Sequence, residues 1–247
     1  MKTIKICAFG DSVMKGTIVE SMNPLQYTLP QMTFTDIAAQ KLGIQIDNYA
    51  RFGSTLATGE KILIRHIAAI PQYDYILLKF GGNDCDYHWE AIAAEPERVH
   101  HPFTPLTEFM LEYEKLVNKI RLLGSSPIII SLTPVEPQKY FRHITRNLSE
   151  SGRQNVLEWL GGTPNFISEW HEMYNIKLME LAVRLGIPVI DITSPFYSKP
   201  AYGEMLCEDG IHPNLEGQKL LTSALYDGLG NILSSAKPVS GISPVIC

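Results

Sequence analysis

A chain of 247 residues, 45% apolar and 19% charged, has enough material for one sizeable hydrophobic core and is too evenly mixed to be disordered or fibrous. Its net charge of -5, with no stripe of lysine and arginine, excludes the electrostatic footprint of a nucleic-acid binder. No run approaches the ~18–20 apolar residues that span a bilayer, and the first residues lack the apolar core and cleavage site of a secretory signal, so a cytoplasmic protein is expected. Cys7, Cys85, Cys207 and Cys247 show no C-x-x-C spacing, which suggests neither a zinc site nor a disulfide framework but reduced thiols.

In chain order, Ile4 to Phe9 reads as a buried strand that stops at Gly10-Asp11-Ser12. A serine at the end of a first strand, before a segment able to start a helix, holds its hydroxyl where a nucleophile would sit; the same tripeptide is also ordinary turn chemistry. The stretch from there to Gln31 has weak periodicity and reads as a partly helical surface loop. A helix follows over Thr33 to Leu42, stopped by Gly43, then a second strand from Ile44 to Tyr49, a loop carrying Gly53, and a helix from about Gly59 to Ile70. Asp74 to Phe80 is a third strand, apolar enough to be buried on both faces, ending in Gly81-Gly82-Asn83-Asp84. A helix over Leu106 to Leu123 leads to a fourth strand, Ser126 to Leu132.

The segment 136–168 is long for a connection, polar, and broken by Gly152, Gly161, Gly162 and Pro164. Connections beyond about 12–15 residues are usually functional or disordered, so this one reads as a lid or substrate-facing insertion, or else as a surface excursion, with short helical pieces around Ser149 to Leu160. Then come a helix from Ser168 to Leu185, a fifth strand from Ile187 to Ile192, the loop Asp209 to Asn214, a helix from Leu215 to about Leu233, and a loosely held tail from Ser234. Alternating strands and helices predict one domain over 1–247, a three-layer α/β fold around a five-stranded parallel sheet. In such sheets ligands bind beyond the carboxyl ends of the strands, where Ser12, Gly53, Asn83 and His212 can meet.

The spacing of Asp209 and His212 lets one tight loop bring the carboxylate to one imidazole nitrogen and leave the other facing Ser12, the geometry of a triad in which His212 is the base. A capping aspartate beside a surface histidine is the plainer alternative. An acyl-transfer serine also needs donors for its oxyanion, and Gly53 can offer a backbone N–H and Asn83 a side-chain amide.

At these residues the chain resembles the SGNH, or GDSL, hydrolase family. Gly10-Asp11-Ser12 with Gly16 is similar to its nucleophile block, Asn48 to Gly53 to its glycine block, Gly81 to Asp84 to its asparagine block, and Asp209 to His212 to its last block. The resemblance implies a flavodoxin-like α/β/α fold and a Ser12, Asp209, His212 triad. It also implies an oxyanion hole from the Ser12 amide, the Gly53 amide and the Asn83 side chain, and ester or thioester hydrolysis through an acyl-enzyme with no metal or other cofactor.

Substrate is less determined. Trp89, Tyr140, Phe141 and Trp159 are candidates to line an acyl or sugar site. His88, His100, His101 and His143 lack metal spacing, and His171 is expected to face solvent. Cys85 and Cys207 fall near Asn83 and Asp209 and read as small buried apolar groups. The expected partner is a small ester with a short acyl group, acetyl first, on a small or carbohydrate-like alcohol, because no extended apolar stripe accompanies the motifs. A lysophospholipase or thioesterase, an acyltransferase, and a flavodoxin-like binding module are the alternatives; the last lacks a glycine-rich phosphate fingerprint.

Overall fold

The structure, a computed structural model, describes residues 3–235. Five strands, β1 (Lys5–Gly10), β4 (Gln45–Asn48), β5 (Tyr75–Lys79), β6 (Ser126–Ile130) and β7 (Val189–Ile190), form one parallel sheet in the order β4-β1-β5-β6-β7. The chain moves from β1 to one side, returns past it, and continues outward on the other side. The order therefore reverses between β1 and β5, the switch point beside which ligands of such sheets bind. The fold is the expected three-layer α/β/α.

Alternation along β1 explains the layers. Ile6 and Ala8 face α2 (Phe34–Leu42) and α10 (Leu215–Ser235), where Phe34, Ala38, Leu221, Leu225 and Leu229 complete one core. Cys7 and Phe9 face the opposite core, made with α3 (Leu56–Arg65), α5 (Leu106–Leu122) and α8 (Asn165–Leu185). With both faces covered, β1, β5 and β6 are largely apolar, as read for the third strand, whereas the edge strand β4 is mostly polar (Gln45-Ile46-Asp47-Asn48). Thr33 starts α2 with a reciprocal capping box to Asp36.

Several elements differ from the sequence reading. The expected surface loop before Gln31 contains α1 (Ser12–Lys15) and an antiparallel hairpin, β2 (Ile18–Met22) and β3 (Leu25–Thr28), outside the main sheet. Its strands are only half buried, so the alternation that betrays a strand is weak, although Asn23-Pro24 marks the turn. The third helix begins at Leu56, capped by Thr55, rather than at Gly59, and ends at Arg65 rather than Ile70. A short helix α4 (Trp89–Ala94) went unread, and α8 starts at Asn165 rather than Ser168. Segment 136–168 holds α6 (Pro137–Thr145) and α7 (Glu150–Trp159), which join α4 in a third apolar cluster around Tyr87, Trp89, Ile92, Val156 and Leu160. Of the expected tail, Ser234 and Ser235 close α10; the rest, with Cys247, lies outside the described residues. Cys7, Cys85 and Cys207 are free and buried. Among the described residues no helix is long and apolar enough to cross a membrane.

Gly59 brings α3 flush against the core: a Cβ there would lie 2.0 Å from Cζ of Phe80. Gly59→Ala is expected to destabilise the fold by at least ~1–3 kcal/mol through overpacking, with partial recovery when Phe80→Leu is added. Denaturant melts check this, and an unchanged midpoint for Gly59→Ala would refute the close packing.

Candidate active site

The chain leaves β1 at Gly10 and enters α1 at once. Asp11 is the N-cap, accepting from Val13 N at 3.0 Å and Met14 N at 3.2 Å. Its second oxygen accepts from Lys79 Nζ at the end of β5, 2.9 Å away, with both side chains buried. Ser12 is thereby fixed as the first residue of a helix at the switch point, 7% exposed.

His212 reaches it from a loop before α10, closed by the Leu206–Pro213 bridge and by Cys207 N donating to His212 O at 2.7 Å. Within the loop Asp209 Oδ1 accepts from the backbone N–H of Ile211 and His212, each at 3.2 Å, while Oδ2 lies 2.5 Å from His212 Nδ1. His212 Nε2 is 2.8 Å from Ser12 Oγ. Burial alone would raise the Asp209 carboxyl, but the hydrogen bonds and charge interaction from His212, with the Ile211 N–H, outweigh it and hold the group below the usual carboxylate range. An ionised Asp209 only accepts. The imidazole therefore carries its proton on Nδ1 and offers the Nε2 lone pair to the serine hydroxyl. Tyr27 from the hairpin and Phe52 pack on the imidazole at 5.3 and 5.8 Å between ring centroids. Both escaped the sequence reading, although Phe52 directly precedes Gly53.

Asn48 ties the glycine loop to the serine turn by donating to Met14 O at 2.9 Å, and Arg51 N donates to Gly10 O at 3.0 Å. Gly53 has φ +69°, the left-handed region that favours glycine. Asn83 Nδ2 donates one hydrogen to Ser54 O at 3.0 Å, which fastens it to the residue after Gly53 and leaves its other amide hydrogen uncommitted. Ser12, Gly53, Asn83, Asp209 and His212 thus belong to one hydrogen-bonded set of loops at the carboxyl edge of the sheet.

Two cavities adjoin Ser12. The inner one is lined by Asp11, Ser12, Val13, Lys79, Gly82, Asn83, Cys85, Asp86, Thr133, Val135, Tyr140, Ile167, His171 and Ile211. The outer one contains His212 and adds Tyr27, Phe52, Trp89, Glu90, His143, Ile144 and Arg146. Trp89 and Tyr140 are therefore at the site; Phe141 and Trp159 line neither cavity. Phe141 is buried in the third cluster with Arg153 over its ring, and Trp159 meets Tyr87 and Trp89 edge-on. His171 does not face solvent: it is 7% exposed, on the inner face of α8 with Ile167, Tyr174 and Leu178. Its spacing from Ile167 and Tyr174 was the available signal. Asp86, which the sequence reading passed over, receives Trp89 Nε1 at 2.7 Å and the Tyr140 hydroxyl, yet burial pushes its carboxyl up to about 6. Burial raises the Cys85 and Cys207 thiols, so neither is a ready thiolate. No cluster of three or more metal-ligating side chains occurs among the described residues.

The model of the GDSL-like Lipase/Acylhydrolase family matches residues 8–220. The chain belongs to that family. This GDSL-like hydrolase is 25% identical over 193 residues to the GDSL esterase/lipase CPRD49 of Arabidopsis thaliana, covering 77% of this chain and 68% of the relative. In fold it is similar to the lipase/acylhydrolase from Enterococcus faecalis, with TM-score 0.60, 17% identity, and 97% of this chain and 100% of that one covered. It is also similar to a catalytic mutant of Axe2, an acetylxylan esterase from Geobacillus stearothermophilus, with TM-score 0.60, 16% identity, and 93% and 96% covered. The GDSL-like protein is a serine ester hydrolase.

In this hydrolase two buried charges set testable electrostatics. Lys79→Met leaves Asp11 buried without its partner and is expected to cost ~3–5 kcal/mol, most of it recovered when Asp11→Asn is added; strictly additive losses in urea melts would rule out the coupling. Asp84 is fully buried, and burial raises its carboxyl from 3.8 to about 6 despite bonds from Leu56 N and the Thr104 hydroxyl. The native state therefore keeps a proton that the unfolded chain releases. Its contribution is present near pH 4 and lost as pH rises through 6. Relative to Asp84→Asn, wild type should lose up to about 3 kcal/mol between pH 4 and 7, and a pH-independent difference would contradict the assignment.

Proposed function

We propose that the protein hydrolyses esters of a short acyl group, acetyl first among them, with a small or carbohydrate-like alcohol. Ser12 is the nucleophile and His212 the base that Asp209 orients. Ser12 Oγ attacks the carbonyl carbon as its proton passes to His212 Nε2. The oxyanion is met by the Ser12 and Gly53 N–H groups and the free Asn83 amide hydrogen. His212 then returns the proton to the departing alcohol, leaving an acyl-enzyme, and a water activated at the same nitrogen releases the acid.

The observation that carries the reading is the division of space at Ser12. The group that protonates the leaving alcohol must lie at the alcohol oxygen. The cavity that contains His212 is therefore the alcohol side, and the one that reaches Ser12 and Asn83 without His212 is the acyl side. The acyl side has about 60 Å³ open to water-sized groups. A single water needs ~10–15 Å³ of such space, so it holds on the order of four to six. That suits an acyl group of about two to four carbons and is short of a fatty tail. The alcohol side is larger, about 240 Å³, and offers Asp86, Glu90, His143 and Arg146 beside Tyr27, Phe52 and Trp89, a mixture of hydrogen-bonding groups and ring faces suited to a polyhydroxylated alcohol. His143 Nδ1 is buried there without a partner. In this reading the chain is one domain, and segment 136–168 is its substrate-facing insertion, contributing Tyr140, His143 and Ile167.

Hydrolysis of p-nitrophenyl esters of increasing length tests the proposal. Acetate and butyrate are expected to exceed octanoate at least tenfold in kcat/KM, and Ser12→Ala should lose at least 10³-fold with its melting temperature nearly unchanged. A Cβ on Gly82 would meet Asp11 and His171 at ordinary contact distances of 3.6 and 3.8 Å, so Gly82→Ala should shrink the acyl side and lower the butyrate-to-acetate ratio about fivefold or more. Octanoate preference in wild type, or turnover retained by Ser12→Ala, would defeat the reading.

A further inference from the structure

The acyl side has a polar floor that plain acetate would leave unused. His171 and Thr133 both line it, and they are 7% and 3% exposed. Neither the His171 ring nor the Thr133 hydroxyl has a hydrogen-bond partner among the described residues. Lys79, 2% exposed, also lines it and donates to Asp11 at 2.9 Å, which leaves two of its three ammonium hydrogens without a described acceptor. The polar atoms of His171 and Thr133 are not among the fully buried unpaired ones; they open onto the cavity, where an occupant of matching polarity can bond them. Gly82 keeps the approach to them open, since its missing side chain would stand between Asp11 Oδ2 and His171 Nε2.

His171, Thr133 and the Lys79–Asp11 pair make a floor that is polar without net charge, with the Asp86 carboxyl on the wall beside it. Burial, with Lys79 nearby, lowers His171 to about 3, so its ring is neutral and presents one donor and one acceptor. The charge of Lys79 is balanced by Asp11. A carboxylate on the acyl group would bring an uncompensated charge into this space, whereas a hydroxyl both donates and accepts, as the neutral imidazole does. We propose that the hydrolase is built for short acyl groups that carry a hydroxyl, and that Thr133 and His171 are the residues that select it. This rests on the assignment of the inner cavity to the acyl group.

The test uses ethyl esters whose acyl parts differ only by OH for CH₃: glycolate against propionate, 3-hydroxypropionate against butyrate, and 3-hydroxybutyrate against isovalerate. Acid release is followed in a pH-stat, with each kcat/KM divided by the ester's hydroxide-catalysed rate to remove intrinsic reactivity. Wild type should favour the hydroxylated member of at least one pair by tenfold or more, since a site built to bond a hydroxyl rejects the analogue without one. Thr133→Val, nearly isosteric, and His171→Leu should each cut that ratio at least fivefold, while His171→Gln, which keeps a donor and an acceptor, should restore part of it. Wild-type parity or methyl preference in every pair, with ethyl acetate still turned over, would overturn the hydroxyacyl assignment and leave the esterase reading standing. A preference for monoethyl succinate over all of these would overturn the neutral-hydroxyl assignment in the same way. Failure to turn over any ester, ethyl acetate included, would overturn the esterase reading and this inference together. The wild-type ratios decide even if a variant does not fold.

Discussion

The buried pair of Asp11 and Lys79 is the constraint on which the rest of the site depends. It joins the carboxyl ends of β1 and β5 where the strand order reverses, and the same carboxylate caps α1. A buried ion pair adds little stability over apolar residues of the same shape, since two desolvation penalties offset its attraction. Its contribution here is positional. With one oxygen on the ammonium and the other on two backbone amides, Asp11 cannot turn without breaking several bonds, and the adjacent serine inherits that fixity.

The glycine and asparagine loops are attached to this centre by hydrogen bonds as well as by packing: Asn48 to Met14 O, Arg51 N to Gly10 O, and Asn83 to Ser54 O, with Ala50 buried beside Val13 and Met14. Each loop leaves a different strand, yet each is referenced to its neighbour. Asp209 and His212 come from farther along the chain, after β7 and a 3-10 turn (Tyr202–Met205), and are held by their own bridge.

The parts of this arrangement legible in the sequence were those with local causes. The inner strands β1, β5 and β6 could be read because both faces of the sheet are covered there and their residues are largely apolar. Gly53 and the Asp209–His212 spacing could be read because a left-handed turn and a tight carboxylate–imidazole loop each need particular residues within a few positions. What was not legible depends on tertiary placement. Tyr27 lies in a half-exposed hairpin and reaches Phe52 and His212, which are far from it in the chain. Asp86 looks like any loop carboxylate until Trp89 and Tyr140 close over it. His171, expected to face solvent, stands in the row Ile167, His171, Tyr174, Leu178 on the buried face of α8; periodicity is the better guide there.

The third apolar cluster, where α4, α6 and α7 pack around Tyr87 and Trp89, shares little with the two cores that clothe the sheet. It is a small secondary nucleus with its own interior, standing over the outer cavity. Stability is seldom uniform across a folded chain, and small units with their own interior are common sites of local opening. Substitutions among its outer residues can reshape the wall of the outer cavity while the strands, the serine turn and the histidine loop keep their places. The chain thus keeps the packing that shapes its outer cavity apart from the loops that hold Ser12 and His212.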